Sequence, residues 1–193
     1  MAKKFSLLLA AVAVLAFAVP SMASAAKTAT LTEGGVKVAV GATVVGTGTD
    51  VTLTSNLLGP ITCEKITLIG KVTKNNTGEV EGAGVPEKPG QTGCKNNANP
   101  VVVTSVTLKN LFAEEANNAK ASFSATIDIG TGAAEIECTF TGTNVPAEYT
   151  AGTDTVNFLT ATVIIGSPAK CGNAKLTASF TLETANGAQL ILD

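Results

Sequence analysis

Glu135 and Glu137 stand two residues apart in Glu135-Ile136-Glu137-Cys138, and Glu79 and Glu81 repeat the spacing. On a strand, residues i and i+2 share one face about 7 Å apart. That separation suits the two carboxyl groups of an inverting glycosidase. A sugar site also wants aromatic platforms, and this chain has no Trp and a single Tyr, Tyr149. Neighbouring Glu on a solvated strand face accounts for both pairs without chemistry, so no catalytic residue is assigned and the chain reads as a non-enzyme.

Asp50, Asp128 and Asp154 lie beside strand ends or Gly-rich turns, where carbonyls could join them around calcium. No D-x-D-x-D-G loop is present and the acids are scattered, so no metal or other cofactor is expected. The chain contains no His and no Arg. Ser-His-Asp and Cys-His relays, His zinc ligands and guanidinium clamps are therefore excluded. All 13 cationic side chains are Lys, against 15 acids, for a net charge of −2. No basic run exists to neutralise phosphates, so nucleic acid is not an expected partner. Thr-x-Thr patterns at 28–32, 139–143 and 153–155 are too irregular for a repeated ice- or water-ordering array and read as exposed strand faces. Asn75-Asn76-Thr77 matches a glycosylation acceptor.

The four cysteines, Cys63, Cys94, Cys138 and Cys171, take their meaning from the N-terminus. Lys3 and Lys4 precede an apolar run from Phe5 to Val19, Pro20 ends it, and Ala23-Ser24-Ala25 offers small residues at a cleavage site. This is the pattern of a secretory signal peptide over 1–25. The apolar run is shorter than the roughly 20 residues that span a bilayer, so no transmembrane anchor is expected after cleavage. The mature chain, 26–193, reads as one domain. Removing Lys3 and Lys4 from 13 leaves 11 Lys against 15 acids, or −4.

An exported chain with an even number of cysteines is expected to hold two disulfides. The gaps of 31, 44 and 33 residues do not resemble the short C-x2-C pairs of zinc sites. Three pairings are open. Ile61-Thr62-Cys63-Glu64 echoes Ile136-Glu137-Cys138-Thr139, and the stretches after Cys94 and Cys171 reach Ser105-Val106-Thr107-Leu108 and Ser179-Phe180-Thr181-Leu182. The half-repeat favours Cys63–Cys94 and Cys138–Cys171. A Cys63–Cys138 link, joining two strands, is its main rival.

The elements carrying these residues are strands. Apolar and polar residues alternate in Phe123–Ile129, Ile136–Phe140, Leu176–Leu182 and Val36–Val40, and further strands are expected at 51–55, 61–69, 101–109, 156–165 and 188–192. Thr is the commonest polar partner and is β-branched. One wet face per strand means antiparallel sheets. Gly46–Asp50 reads as a break between strands; Asn75–Gly78, Gly130–Gly132 and Asn186-Gly187 read as hairpin connections. Gly82–Pro100 reads as one long loop pinned by Cys94, and Phe112–Ala121 as a turn or two of helix. The fold class is all-β, an antiparallel β-sandwich of about nine or ten strands with two disulfides.

The signal peptide, the strand Ile61-Thr62-Cys63, Gly93-Cys94, and Cys171-Gly172 followed by an alternating strand resemble small secreted β-rich proteins of the protein activator of alkane oxidation (PraB-like) family. The resemblance implies an exported, non-catalytic protein and transfers no functional residue. The expected function is a secreted structural or interaction protein of the cell surface or extracellular space. It could self-assemble as a homo-oligomer by strand addition through Thr28–Thr32, or contact a cell-surface partner. Two alternatives stand beside it. One is an extracellular binding module for sugars or apolar molecules, favoured by an apolar cleft between sheets; the other is a glycoside hydrolase using the Glu135/Glu137 pair.

Overall fold

The computed structural model describes residues 29–76, 79–84, 89–113, 117–159 and 164–193. The segment read as a signal peptide lies outside them. The strands are, in chain order, β1 (Leu31–Glu33), β2 (Val36–Lys37), β3 (Thr43–Ser55), β4 (Gly59–Asn76), β5 (Glu79–Gly84), β6 (Gly90–Thr92) and β7 (Lys95–Asn96). They continue with β8 (Asn99–Ala113), β9 (Asn118–Ile129), β10 (Ile136–Tyr149), β11 (Thr155–Phe158), β12 (Ile165–Ser167), β13 (Ala174–Thr184) and β14 (Leu190–Leu192).

Two layers of three long antiparallel strands face each other, β13-β3-β4 and β8-β9-β10. This is the sandwich that the alternation demands, and its two edges are joined. Along one edge β5, β6 and β7 pair in turn with β4, and β5 and β7 also pair with β8. Along the other, β11 pairs with both β10 and β13, while β12 pairs with β10 and Ile164 bridges to Ala174. The sandwich is thereby closed into a ring, which leaves few free sheet edges. Each seam is made of short broken strands. They account for most of the difference between the fourteen strands observed and the nine or ten expected.

The half-repeat is a real feature of the ring. A strand pair, a broken seam and a long strand occur first as β3-β4, β5–β7, β8 and again as β9-β10, β11–β12, β13. Each seam holds one disulfide, Cys63–Cys94 and Cys138–Cys171. Closing loops of 31 and 33 residues stabilises by about 3–4 kcal/mol each in the chain-entropy picture. This end of the ring is densely filled: Cys138, Phe140, Ile164 and Cys171 are wholly buried.

The opposite end is covered by the small sheet β14-β1-β2. Leu31, Leu190 and Leu192 are buried there. Asn75, at the end of β4, fastens this cap. Its Oδ1 accepts from the Leu31 amide at 2.9 Å, and its Nδ2 donates to the carbonyls of Leu31 and Val38 at 2.8 Å each. With 2% of its surface exposed, Asn75 is a structural residue and not an accessible glycosylation acceptor. Of Thr28–Thr32, the segment weighed for strand addition, Thr28 lies outside the described residues, and Leu31 and Thr32 belong to β1, which is flanked within its own fold by β14 and β2.

Three sequence expectations are corrected. Gly46–Asp50 does not break a strand; β3 runs through it. At Thr47-Gly48-Thr49-Asp50-Val51 and again at Thr141-Gly142-Thr143-Asn144-Val145 the inward face shifts from the Gly to the Val, and Asp50 and Asn144 take left-handed backbone angles of φ 51° and 49°. In each case a Phe on the neighbouring strand, Phe180 or Phe123, pairs directly with the Gly. The ring occupies the space that a side chain would fill: a Cβ on Gly48 would stand 2.7 Å from Phe180, and one on Gly142 3.1 Å from Phe123. The described parts of Gly82–Pro100 are not a long loop but the first seam, recruited by backbone pairing to β4 with little apolar patterning of their own; residues 85–88 lie outside the described residues. Phe112-Ala113 and Asn118–Ala121 are strand ends rather than helix, because β8 and β9 pair antiparallel with Ala113 aligned to Ala119; residues 114–116 lie outside the described residues.

Candidate functional site

Between the two layers lies an apolar cavity of about 400 Å³. It exists because several inward positions carry little or no side chain. Gly46 on β3, Gly70 on β4 and Gly82 on β5 contribute none, and Ala119, Ala121 and Ala125 on β9 contribute one carbon each. Around them stand Ile66, Leu68, Val106, Leu108, Phe123, Phe158, Leu176, Phe180 and Leu182. Phe158 and Phe180 meet edge to face, with ring centroids 6.0 Å apart. Leu31 and Leu192 close the cap end.

Among the described residues, the polar ones bordering this space are Thr67, Lys71 and Glu81, all at the first seam. The exposed lining residues, Ile69, Lys71 and Gly90, lie there too. The mouth therefore opens through this seam. The physical reason is that, among the described residues, β5 and β7 pair with β8 near its two ends, at Leu111–Ala113 and at Asn99-Pro100. Between these points the described ties are the Val101 amide, which donates to the Cys94 carbonyl at 3.1 Å, and the Gln91 side chain, which accepts from the Val103 amide at 2.7 Å. Glu81 is paired with Lys74 at 3.7 Å.

The sequence-derived candidates fall elsewhere. Glu135 is exposed in the turn before β10 and Glu137 is exposed on that strand, so the two do not share a strand face in a cleft. Neither lines the cavity. Asp50 is exposed on β3, Asp128 is half-buried on β9, and Asp154 accepts from Thr155 and from Gln189. Among the described residues, no three acidic or cysteine side chains converge as a ligand set. All four cysteines are consumed by the disulfides.

Sequence reasoning missed the cavity because it scored Ala and Gly as apolar strand residues without asking how much room they leave. The usable signal was the small residues Ala119, Ala121 and Ala125, interrupted by Phe123 alone, together with Gly46 and Gly70 among the other inward positions. The outer faces held a second signal. Thr155, Thr181, Thr47 and Thr67 align across four strands, and so do Ser105, Thr126, Thr139 and Ser167. Thr126 and Thr139 share a hydroxyl hydrogen bond of 3.1 Å.

These elements define a closed antiparallel sandwich with an apolar interior space. Neither protein-family models, nor curated proteins, nor solved structures provide a match to the chain.

Proposed function

We propose that this protein is an exported, non-catalytic binding module that carries a small apolar molecule inside its ring. The cavity carries this reading. Its volume falls within the roughly 300–1,000 Å³ typical of small-molecule pockets, and its walls are hydrocarbon except at the mouth. Among the described lining residues a sugar would find no buried polar partner, so of the two ligand classes the apolar one is supported. The two disulfides support an oxidising compartment outside the cytoplasm. Titration with dodecan-1-ol, followed by methyl NMR, tests the reading. Saturable one-to-one binding with shifts at Leu108, Leu176 and Leu182 is expected. Absence of saturation, or shifts confined to outward residues, refutes it.

The hydroxyl rows on both outer faces favour a second reading, a durable extracellular scaffold that meets hydrated surfaces. Electron microscopy of the purified protein separates the two: ordered fibres or sheets favour the scaffold, and uniform monomers favour the carrier.

A further inference from the structure

The cavity is long relative to its volume. Lining residues extend from Leu176 to Leu182 on β13 and from Ala119 to Ala125 on β9. Six residue steps at strand rise span about 20 Å. A space of about 400 Å³ drawn out over that length is slender. It suits one extended hydrocarbon chain better than a compact ring system.

The mouth adds a charge. Among the described residues, Lys71 and Glu81 are the ionisable ones lining the cavity, and both stand at the first seam. Glu81 is engaged by Lys74. Lys71 is exposed and has no carboxylate partner among the described residues. A cation thus stands where the apolar wall ends, while the interior offers hydrocarbon alone. Building on the carrier reading, we infer that the ligand is a single-chain amphiphile with an anionic headgroup. Its chain lies between the layers and its headgroup rests at the mouth beside Lys71. A carboxylate is the simplest such headgroup. A neutral chain would leave Lys71 without a role, and a cationic one would be repelled.

Calorimetric titrations of the purified protein with dodecanoate, dodecan-1-ol and dodecyltrimethylammonium, each below its micelle concentration, test this. An exposed ion pair predicts that dodecanoate binds about two- to fivefold tighter than the alcohol. The preference should weaken with added salt. Lys71→Gln should equalise dodecanoate and dodecan-1-ol while unfolding at the wild-type midpoint. Lys71→Glu should favour the ammonium ligand over dodecanoate. Equal wild-type affinity for dodecanoate and the alcohol overturns the headgroup assignment but leaves the carrier reading intact, and so does a dodecanoate preference that survives Lys71→Gln. Failure of all three ligands to bind overturns both.

Discussion

Replacing Gly46 by Val should make the empty protein more stable and a worse binder. Gly46 lies on β3 between Leu182 and Leu68, its backbone angles are ordinary for a strand, and it faces the cavity. A Cβ placed there would lie 3.8 Å from Phe180 and 3.9 Å from Leu182, which is normal contact distance. Valine adds three carbons. At about 0.8 kcal/mol per buried methylene they contribute about 2 kcal/mol. Removing a strand-interior glycine adds about 0.5–1 kcal/mol. Allowing for imperfect packing, a net gain of about 1–3 kcal/mol is expected. For a chain of this size that corresponds to a rise in Tm of about 3–8 °C. The same carbons take space from a ligand chain and should cost it about 2 kcal/mol, roughly thirtyfold in Kd. Gly48→Ala, two residues along, is the control. Its Cβ would stand 2.7 Å from the Phe180 ring and 2.8 Å from Val51, so it should destabilise by about 1–3 kcal/mol. Calorimetric unfolding and dodecan-1-ol titration read both effects. If Gly46→Val lowers Tm, the space is not there; if it raises Tm and leaves binding unchanged, the space is not the site.

Mild reduction followed by alkylation mapping should label Cys63 and Cys94 first, because Cys94 is half-buried whereas Cys138 and Cys171 are wholly buried. Asn75→Ala strips a buried amide and two carbonyls of their partner, so it should cost at least about 2 kcal/mol and speed hydrogen exchange at the Leu31 amide. Tyr149 is held above the ordinary tyrosine pKa, chiefly by burial, with a backbone hydrogen bond at Asn117 pulling the other way. The folded state therefore keeps this proton where the unfolded chain has lost it, and stability should fall as pH rises past about 10. Denaturant midpoints measured across that window should fall less in Tyr149→Phe.

The strands that alternate strictly were legible. β9 and β13 announce themselves because their apolar positions alternate with Ser, Thr, Lys and acidic ones; Ser122, buried against Asn144, is the exception on β9. The disulfide pairing was legible because the Cys63 and Cys138 strands share a local pattern and each second cysteine follows at nearly the same distance. The ring closure was not. β5–β7 and β12 are held by backbone hydrogen bonds and carry almost no periodic apolar signal, so only the neighbouring strands define them; β11 does alternate, as Thr155-Val156-Asn157-Phe158, but nothing in it names both β10 and β13 as its partners. The candidate site was hidden for a related reason. A cavity is made by side chains that are missing, and Gly46 or Ala121 looks in the sequence like any small strand residue. The face shift at Asp50 could have been read, since Thr-Gly-Thr-Asp-Val and Thr-Gly-Thr-Asn-Val occur in both halves. The glycines alone, however, suggest a turn. Only the Phe ring opposite each one keeps the strand going.

The cap joins the two extremes of the described chain. Thr30 donates its amide to the carbonyl of Asp193 at 2.8 Å and receives the Asp193 amide in return. Chain growth is vectorial, so Leu31 waits for its partner strand until Leu192 has been made. Every long strand of the ring precedes that moment. The lid over the interior is consequently the last element able to form, and nearly the whole length of the chain separates its halves. Such closure is entropically slow. During assembly the apolar space is complete on its sides while still open at the end that β1 and β14 later seal.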